Sequence, residues 1–339
     1  MKFPIILNDM PQFVLWYNHA RIDHGYFKRE GFMNYIAVDV GGTQLRAALY
    51  PETGIEASVI KAIPTKGQGT AVERLLQLLD SIWPEDQKVE RIGLLVPGMV
   101  NPAEGMVYIT PNIDGWQDLP LVDIVQKRFN TPTVLGNDAN LAALGEWKYG
   151  AGVGHHNMIY MTVSTGVGSG IIVDDHLLVG AHGIGAELGH VIVQPDGPIC
   201  GCGKRGHLEA ISSGTGIANF VKRKIAEGRH TILANDEKPI TSRLVAEAAL
   251  QGDELSIEAF NIAGKYLGIA IANLLIVFNP TLIILGGGVI KAGSLLMEPL
   301  QRSLEESVVS PRYLSDFRLT TAKLGDQVGL VGALALVRG

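Results

Sequence analysis

The chain has 339 residues, a net charge of −6, 47% hydrophobic and 18% charged residues, and only two cysteines. That length exceeds the ~100–200 residues of a single hydrophobic core, so two domains are expected, and the balance of apolar to charged residues excludes a disordered chain. No run of Lys or Arg builds the basic stripe that nucleic acid requires, and the most apolar region, 269–285, is interrupted by Asn273, Asn279 and Pro280, which a membrane-spanning helix tolerates poorly.

Residues 1–33 mix aromatic and charged residues without a sustained period. Asn8, Asp9 and Pro11 break the early apolar stretch and no small-residue cleavage site follows, which argues against a signal peptide. Two readings stay open: an upstream extension with translation starting at Met33, or an N-terminal arm packed on the rest. Cys200 and Cys202 stand one residue apart, a poor arrangement for a structural disulfide, so a reducing, cytoplasmic setting is expected.

The first clear strand runs from Tyr35 to Asp39 and ends in Val40-Gly41-Gly42-Thr43, after which Leu45–Tyr50 returns as a strand. Apolar residues at helical spacing predict a helix over 70–83, and Ile92–Val96 gives a buried strand, for the order β-β-β-α-β. A second unit of the same kind begins at Met158–Val163, turns through the glycines of 165–170 and returns at Ile171–Val173. This repetition implies two related α/β domains, each presenting a glycine turn to a shared cleft. A long helix over 256–277, a buried strand over Leu282–Leu285, a third glycine turn at Gly286, Gly287 and Gly288, and a helix over 293–306 follow. The last helix, 328–337, is placed to pack back on the first domain. The expected division is therefore residues 34–136 with 325–339, and 137–324.

Glycine turns after strands let backbone amides converge on phosphate oxygens. In the first turn, Gly41 and Gly42 permit close approach, Thr43 offers a hydroxyl, and Asp39 could face a water bound to Mg²⁺. Each turn alone reads as an ordinary β-turn, and it is three of them, each directly after an apolar strand, that point to a phosphate site. No Walker A sequence is present. Asp138, in Asn137-Asp138-Ala139-Asn140, stands where a short strand over 133–135 meets a helix running to about Tyr149. It reads either as the helix N-cap or as a carboxylate that takes a proton from an alcohol during phosphoryl transfer. His190, Cys200, Cys202 and His207 offer two thiols and two imidazoles, a donor set suited to a closed tetrahedral zinc site; a reduced thiol pair and a redox pair are the alternatives.

Taken together, Asp39-Val-Gly-Gly-Thr43 with Arg46, Ser164–Gly170, Asn137–Asn140, and Glu187–His190 continuing through Cys200–Glu209 resemble the ROK family of bacterial sugar kinases and repressors, in particular its glucokinase-like members. The resemblance runs from about Tyr35 to the C-terminus. It implies the actin-like ATPase (ribonuclease H-like) fold, with two domains flanking a cleft, and transfer of phosphate from ATP with Mg²⁺ to a hexose. It also implies Asp138 as catalytic base, and Asn112, Asn137, Glu187, His190 and Glu209 near the sugar hydroxyls. For the nucleotide it implies Asp39, Gly41, Gly42, Thr43, Arg46, Thr165, Gly166 and Gly168, with Gly286–Gly288 on the adenosine side. A structural Zn²⁺ and a homodimer or homotetramer belong to the same expectation. Many members carry a third Cys where this chain has His207. N-acetylglucosamine or N-acetylmannosamine kinase activity is the alternative substrate reading, and a sugar-responsive repressor the non-enzyme one, although residues 1–33 are short for a helix-turn-helix domain.

Overall fold

The computed structural model describes residues 33–339 apart from positions 86, 111 and 235–237. The expectations for residues before Met33 lie outside the described residues.

The chain builds one sheet topology twice. β1 (Asn34–Val40), β2 (Gln44–Pro51) and β3 (Val59–Pro64) run antiparallel to one another. Helix α1 (Ala71–Ile82) then leads to β4 (Val89–Val96). A small antiparallel sheet follows, made of β5 (Met99–Asn101), β6 (Met106–Ile109) and β7 (Gln117–Leu119), and α2 (Leu121–Phe129) returns the chain to β8 (Thr133–Asn137). The first sheet has the order β3-β2-β1-β4-β8, with β4 and β8 parallel to β1. Helix α3 (Asp138–Tyr149) crosses to the second half. There β9 (Met158–Val163), β10 (Val167–Val173) and β11 (His176–Leu177) are followed by α4 (Leu208–Ser212), α5 (Gly214–Ala226), α6 (Ser242–Leu250) and α7 (Glu254–Phe278), then β12 (Leu282–Gly286), α8 (Ser294–Ser307), β13 (Arg318–Thr321) and α9 (Val328–Arg338). The second sheet, β11-β10-β9-β12-β13, repeats the first in order and strand direction.

Alternation along each strand decides what covers each face. In β1 and β2, Ile36, Val38, Val40, Leu45, Ala47 and Leu49 pack with Leu75, Leu78 and Leu79 of α1 and Leu121 and Val125 of α2. The opposite face carries the smaller Ala37 and Ala48, with Leu95 and Tyr50, and meets Leu330, Ala333 and Leu334 of α9. In the second half, Ile159, Met161, Val163 and Ile171 share a core with α5, α7 and α8, while Met158, Tyr160 and Ile172 face Ala142 and Ala143 of α3. Both α3 and α9 thus lie between the sheets, each having crossed from the sheet that precedes it in the chain.

Where these two helices cross, they approach at small residues. A Cβ at Gly145 would lie 3.0 Å from the Gly332 nitrogen, and one at Gly332 would fall on the Leu141 carbonyl. The second glycine-rich stretch differs from expectation for a related reason. The turn ends at Gly166, and Gly168 and Gly170 are residues of β10, paired with Thr162 and Tyr160. A Cβ at Gly170 would come 2.5 Å from the Ala143 Cβ, so the residue is small because α3 lies on it.

The apolar region around 269 is the end of α7, followed by the buried strand β12, as the sequence indicates. By length and composition α7 is long and apolar enough to cross a membrane, with a mean hydropathy of 1.6. Its apolar residues are used against α8, whose backbone fills the space beside Gly264 and Gly268.

Adding a methyl group at the α3–α9 crossing has no free volume to enter. Gly332→Ala is expected to destabilise the fold by about 1–3 kcal/mol, read as a lower urea midpoint.

Candidate active site

The first glycine turn is closed tightly at both ends. Gly41 N–H donates to the Gln44 carbonyl at 2.9 Å, and the Thr65 hydroxyl donates to the Gly41 carbonyl at 2.5 Å. Gly42 lies against Asn112, whose Cβ is 2.8 Å from where a Gly42 Cβ would stand, so the small sheet brings Asn112 to this turn. Thr43 is exposed at the tip. Asp39, at the end of β1, pairs through Oδ2 with Arg46, which also donates to the Asp326 carbonyl at 3.0 Å. The same carboxylate lies beside Gly329 in the first turn of α9, where the helix N-terminus favours negative charge.

The second turn, Ser164–Gly166, is bonded to the start of α5: Gly214 N–H reaches the Ser164 carbonyl at 2.7 Å and Thr215 N–H the Thr165 carbonyl at 3.3 Å. Gly287, at φ +91°, lies against the backbone of Val163, a conformation and an approach that a side chain would obstruct. Gly288 has open space where a side chain would stand. These three segments border a cavity of about 730 Å³ that also touches Lys222, Lys291 and Leu295. Its volume falls in the range of small-molecule sites. A larger cavity of about 960 Å³ lies on the other side of α5, against the 194–205 loop, and reaches Gly166 and Glu209 but not Asp138 or Gly288.

Asn137, and not Asp138, caps α3. Its Oδ1 accepts from Ala139 N–H at 2.9 Å and Asn140 N–H at 3.2 Å, while its Nδ2 donates to the Gly98 carbonyl at 2.9 Å. Asp138 is the first helical residue; its carboxylate accepts from Ala139 N–H at 2.9 Å and is also met by its own backbone N–H. Its carboxylate meets the water of the open site, yet the surrounding protein crowds it. The resulting desolvation pushes its pKa up to about 6; the Ala139 N–H opposes this, and the Asp39 and Glu187 carboxylates add to it.

Glu187, His190 and Glu209 come from the loop after β11 and from α4. Burial raises the Glu187 pKa, with His190 opposing and Glu209 reinforcing the shift. Glu209 Oε2 accepts from Val167 N–H at 3.0 Å, and its Oε1 accepts from the Cys200 thiol at 3.4 Å. Beside it, His190 Nδ1 lies 3.3 Å from His207 Nδ1 and 3.8 Å from Cys200 Sγ, and Cys202 Sγ lies 3.3 Å from His207 Nδ1. All four donor atoms fall within 4.8 Å of one another. The edges of a tetrahedron around a metal at ordinary N and S bond lengths are ~3.3–3.8 Å, so these four side chains can hold one ion.

The ROK family model matches residues 35–339. The chain belongs to the ROK family. It is 36% identical over 314 residues to a glucokinase of Halalkalibacterium halodurans, a match covering 90% of this chain and 94% of that one. A crystal structure of a ROK glucokinase from Streptomyces griseus, in complex with glucose and AMPPNP, superposes with a TM-score of 0.72 at 34% identity, covering 90% of this chain and 99% of that one. A xylose repressor of Caldicellulosiruptor bescii is 32% identical over 281 residues, covering 79% of this chain and 69% of the repressor. The two sheets described above are those of the actin-like ATPase fold.

Within this ROK chain, the sequence-predicted residues fall into three groups. Asp39, Gly41, Gly42, Thr43, Arg46 and Asn112 gather at the end of β1. Thr165, Gly166 and Gly286–Gly288 gather at the ends of β9 and β12, with Gly168 drawn into β10. Asn137 and Asp138 stand at the start of α3, with Glu187, His190 and Glu209 beside the metal-type cluster. Residues that sequence reading passed over are Ser213, Gly214 and Thr215. The signal was available, because Ser213 caps α5 by accepting from Gly216 N–H at 3.0 Å, and a capped glycine-rich helix start is an anion site.

Elemental analysis of the purified chain is expected to show a stoichiometric transition-metal ion that His207→Ala loses, with a lower melting temperature after chelation of the wild type.

Proposed function

We propose that this ATP-dependent sugar kinase is a glucokinase, transferring the γ-phosphoryl group of ATP to the glucose 6-hydroxyl with Asp138 as general base. The observation that carries the reading is the division of labour at the start of α3: Asn137 takes the capping bonds, and the Asp138 carboxylate keeps only the adjacent backbone N–H groups of Ala139 and Asp138 itself, with no side-chain partner among the described residues. A base that works near neutral pH gains from a pKa near the working pH, and about 6 is suited to that task. The similarity to glucokinases over nine-tenths of the chain supports glucose as the acceptor.

In this reading the triphosphate lies along the turns Gly41–Thr43 and Ser164–Gly166, with the adenosine in the cavity bordered by Gly288 and Leu295. Mg²⁺ on the nucleotide would neutralise phosphate charge, and Asp39, with Oδ2 paired to Arg46, has Oδ1 left to face a water of its shell. The sugar is held by Asn112, Glu187, His190 and Glu209, and by the remaining N–H of Asn137. His190 turns Nδ1 to the cluster, which leaves Nε2 for a hydroxyl. Zn²⁺ is the ion that two thiolates and two imidazoles suit best, in a structural role. Once bound as a thiolate, Cys200 has no proton to give Glu209, whose Oε1 then becomes available to the sugar.

Asp138 takes the proton as the sugar oxygen attacks phosphorus in line with the leaving ADP. Closure of residues 34–136 with 325–339 onto 137–324 excludes water, the competing acceptor.

Asp138→Asn is expected to lower turnover by ~10²–10⁴-fold with folding intact by circular dichroism; near-normal turnover would remove Asp138 from the base role. Because the base works deprotonated and its pKa is raised, kcat/KM for the wild type should fall as pH drops through about 6 and level off above it. A hexose panel assigns the acceptor, and faster phosphorylation of an N-acetylhexosamine than of glucose would displace the glucokinase reading.

A further inference from the structure

We infer that Glu146 is a positioning residue for phosphoryl transfer: it grips the second crossing between the two halves and so sets Asp39 against Asp138. The inference rests on the kinase reading above.

Glu146 is fully buried in α3, at 0% exposure, and among the described residues no basic side chain pairs with it. A buried carboxylate without a counter-ion is costly unless backbone donors surround it. Three do. Oε1 accepts from Lys323 N–H and Leu324 N–H, both at 2.8 Å, and Oε2 accepts from Ala151 N–H at 2.7 Å. These are charge-assisted bonds, stronger than neutral ones. Gly150 leaves the space that the carboxylate occupies.

The gripped segment decides where the first half sits. Residues 322–327 carry the chain from β13, in the second sheet, to α9, on the first. Arg46 holds the same segment from the other side, through the Asp326 carbonyl, while pairing with Asp39. Asp39 in turn lies beside Gly329 of α9. Glu146 stands on the helix that begins at Asp138, ~12 Å along its axis at 1.5 Å per residue. A continuous set of contacts therefore runs from Asp138 down α3 to Glu146, across to 323–326, and through Arg46 to Asp39. The chain passes between the halves in α3 and again in the 322–327 segment, and these are the places about which the halves can turn. A carboxylate on the first, hydrogen-bonded to the second, makes them turn as one.

Glu146→Gln tests the grip with little change of volume. Its carbonyl can still serve Lys323 and Leu324, but its amide then faces the Ala151 N–H, donor against donor, or the reverse if the amide flips. Leu324→Pro removes one of the donors instead, at a φ of −77° that proline adopts. Two readouts are taken on folded protein, below the melting temperature of each variant. Hydrogen exchange of the 318–328 amides should accelerate roughly tenfold or more in both variants. With glucose and ATP present, ADP formed without sugar phosphate should rise roughly tenfold relative to transfer, because a loosened closure admits water, while the KM values for both substrates change little. A lower melting temperature with unchanged exchange and an unchanged ratio of hydrolysis to transfer would make Glu146 structural only and overturn the inference. Failure of the wild-type chain to phosphorylate any sugar would sink the kinase reading instead, and the grip would then be decided by the exchange result.

Discussion

The crossing of α3 and α9 is the constraint on which the rest of the molecule depends. Each helix follows the fifth strand of one sheet and packs toward the other half, so the two halves share an interior layer and cannot be separated without exposing it. Close approach there requires small residues on every surface involved. Gly145 and Gly332 meet at the crossing, Gly170 lies under α3, and a Cβ at Gly93 would stand 2.5 Å from the Ala333 carbonyl of α9. Close packing of this kind resists gradual deformation, which favours rotation of the halves as rigid pieces about the crossing.

That arrangement also explains why the acidic groups collect where they do. Asp138 opens α3 and Asp39 stands at the opening of α9, so the two helix starts place two carboxylates near each other, along with Glu187. Helix N-termini favour anions, but three carboxylates in one region repel. The repulsion is resolved unequally. Asp39 has Arg46, whereas Asp138 has only backbone N–H groups and its pKa rises. Different environments thus separate neighbouring carboxylates, one paired with a guanidinium and the other crowded by protein with only backbone donors.

Much of this was legible in the sequence, and the exceptions have physical causes. The two strand–turn–strand units were readable because alternation and glycine turns are local signals, and the helices over 70–83, 256–277 and 328–337 were readable from their period. The small sheet β5–β7 was not, since strands of three or four residues show no period. Asn137 and Asp138 are both good capping residues, so only coordinates could show which one caps. Gly168 and Gly170 read as turn residues because nothing local reveals that a helix lies on them. Glu146 carries no local signal of burial, and its partners at 323 and 324 are far away in the chain.

The His and Cys side chains converge in a way that suits a single metal ion. In the absence of a cation, two imidazole Nδ1 atoms 3.3 Å apart place either two lone pairs or two protons toward each other unless one of each is present, and the thiols add further lone pairs to the same small volume. A metal ion held by these four side chains would make that convergence favourable and would fix the ring of His190 with Nε2 turned away from the cluster. Bound to such an ion as a thiolate, Cys200 would have no proton to give Glu209 Oε1. Glu209 Oε2 remains bonded to Val167 N–H at the first residue of β10, directly after the second glycine turn. Glu209 therefore links the cluster, through one carboxylate, to the end of the second glycine turn.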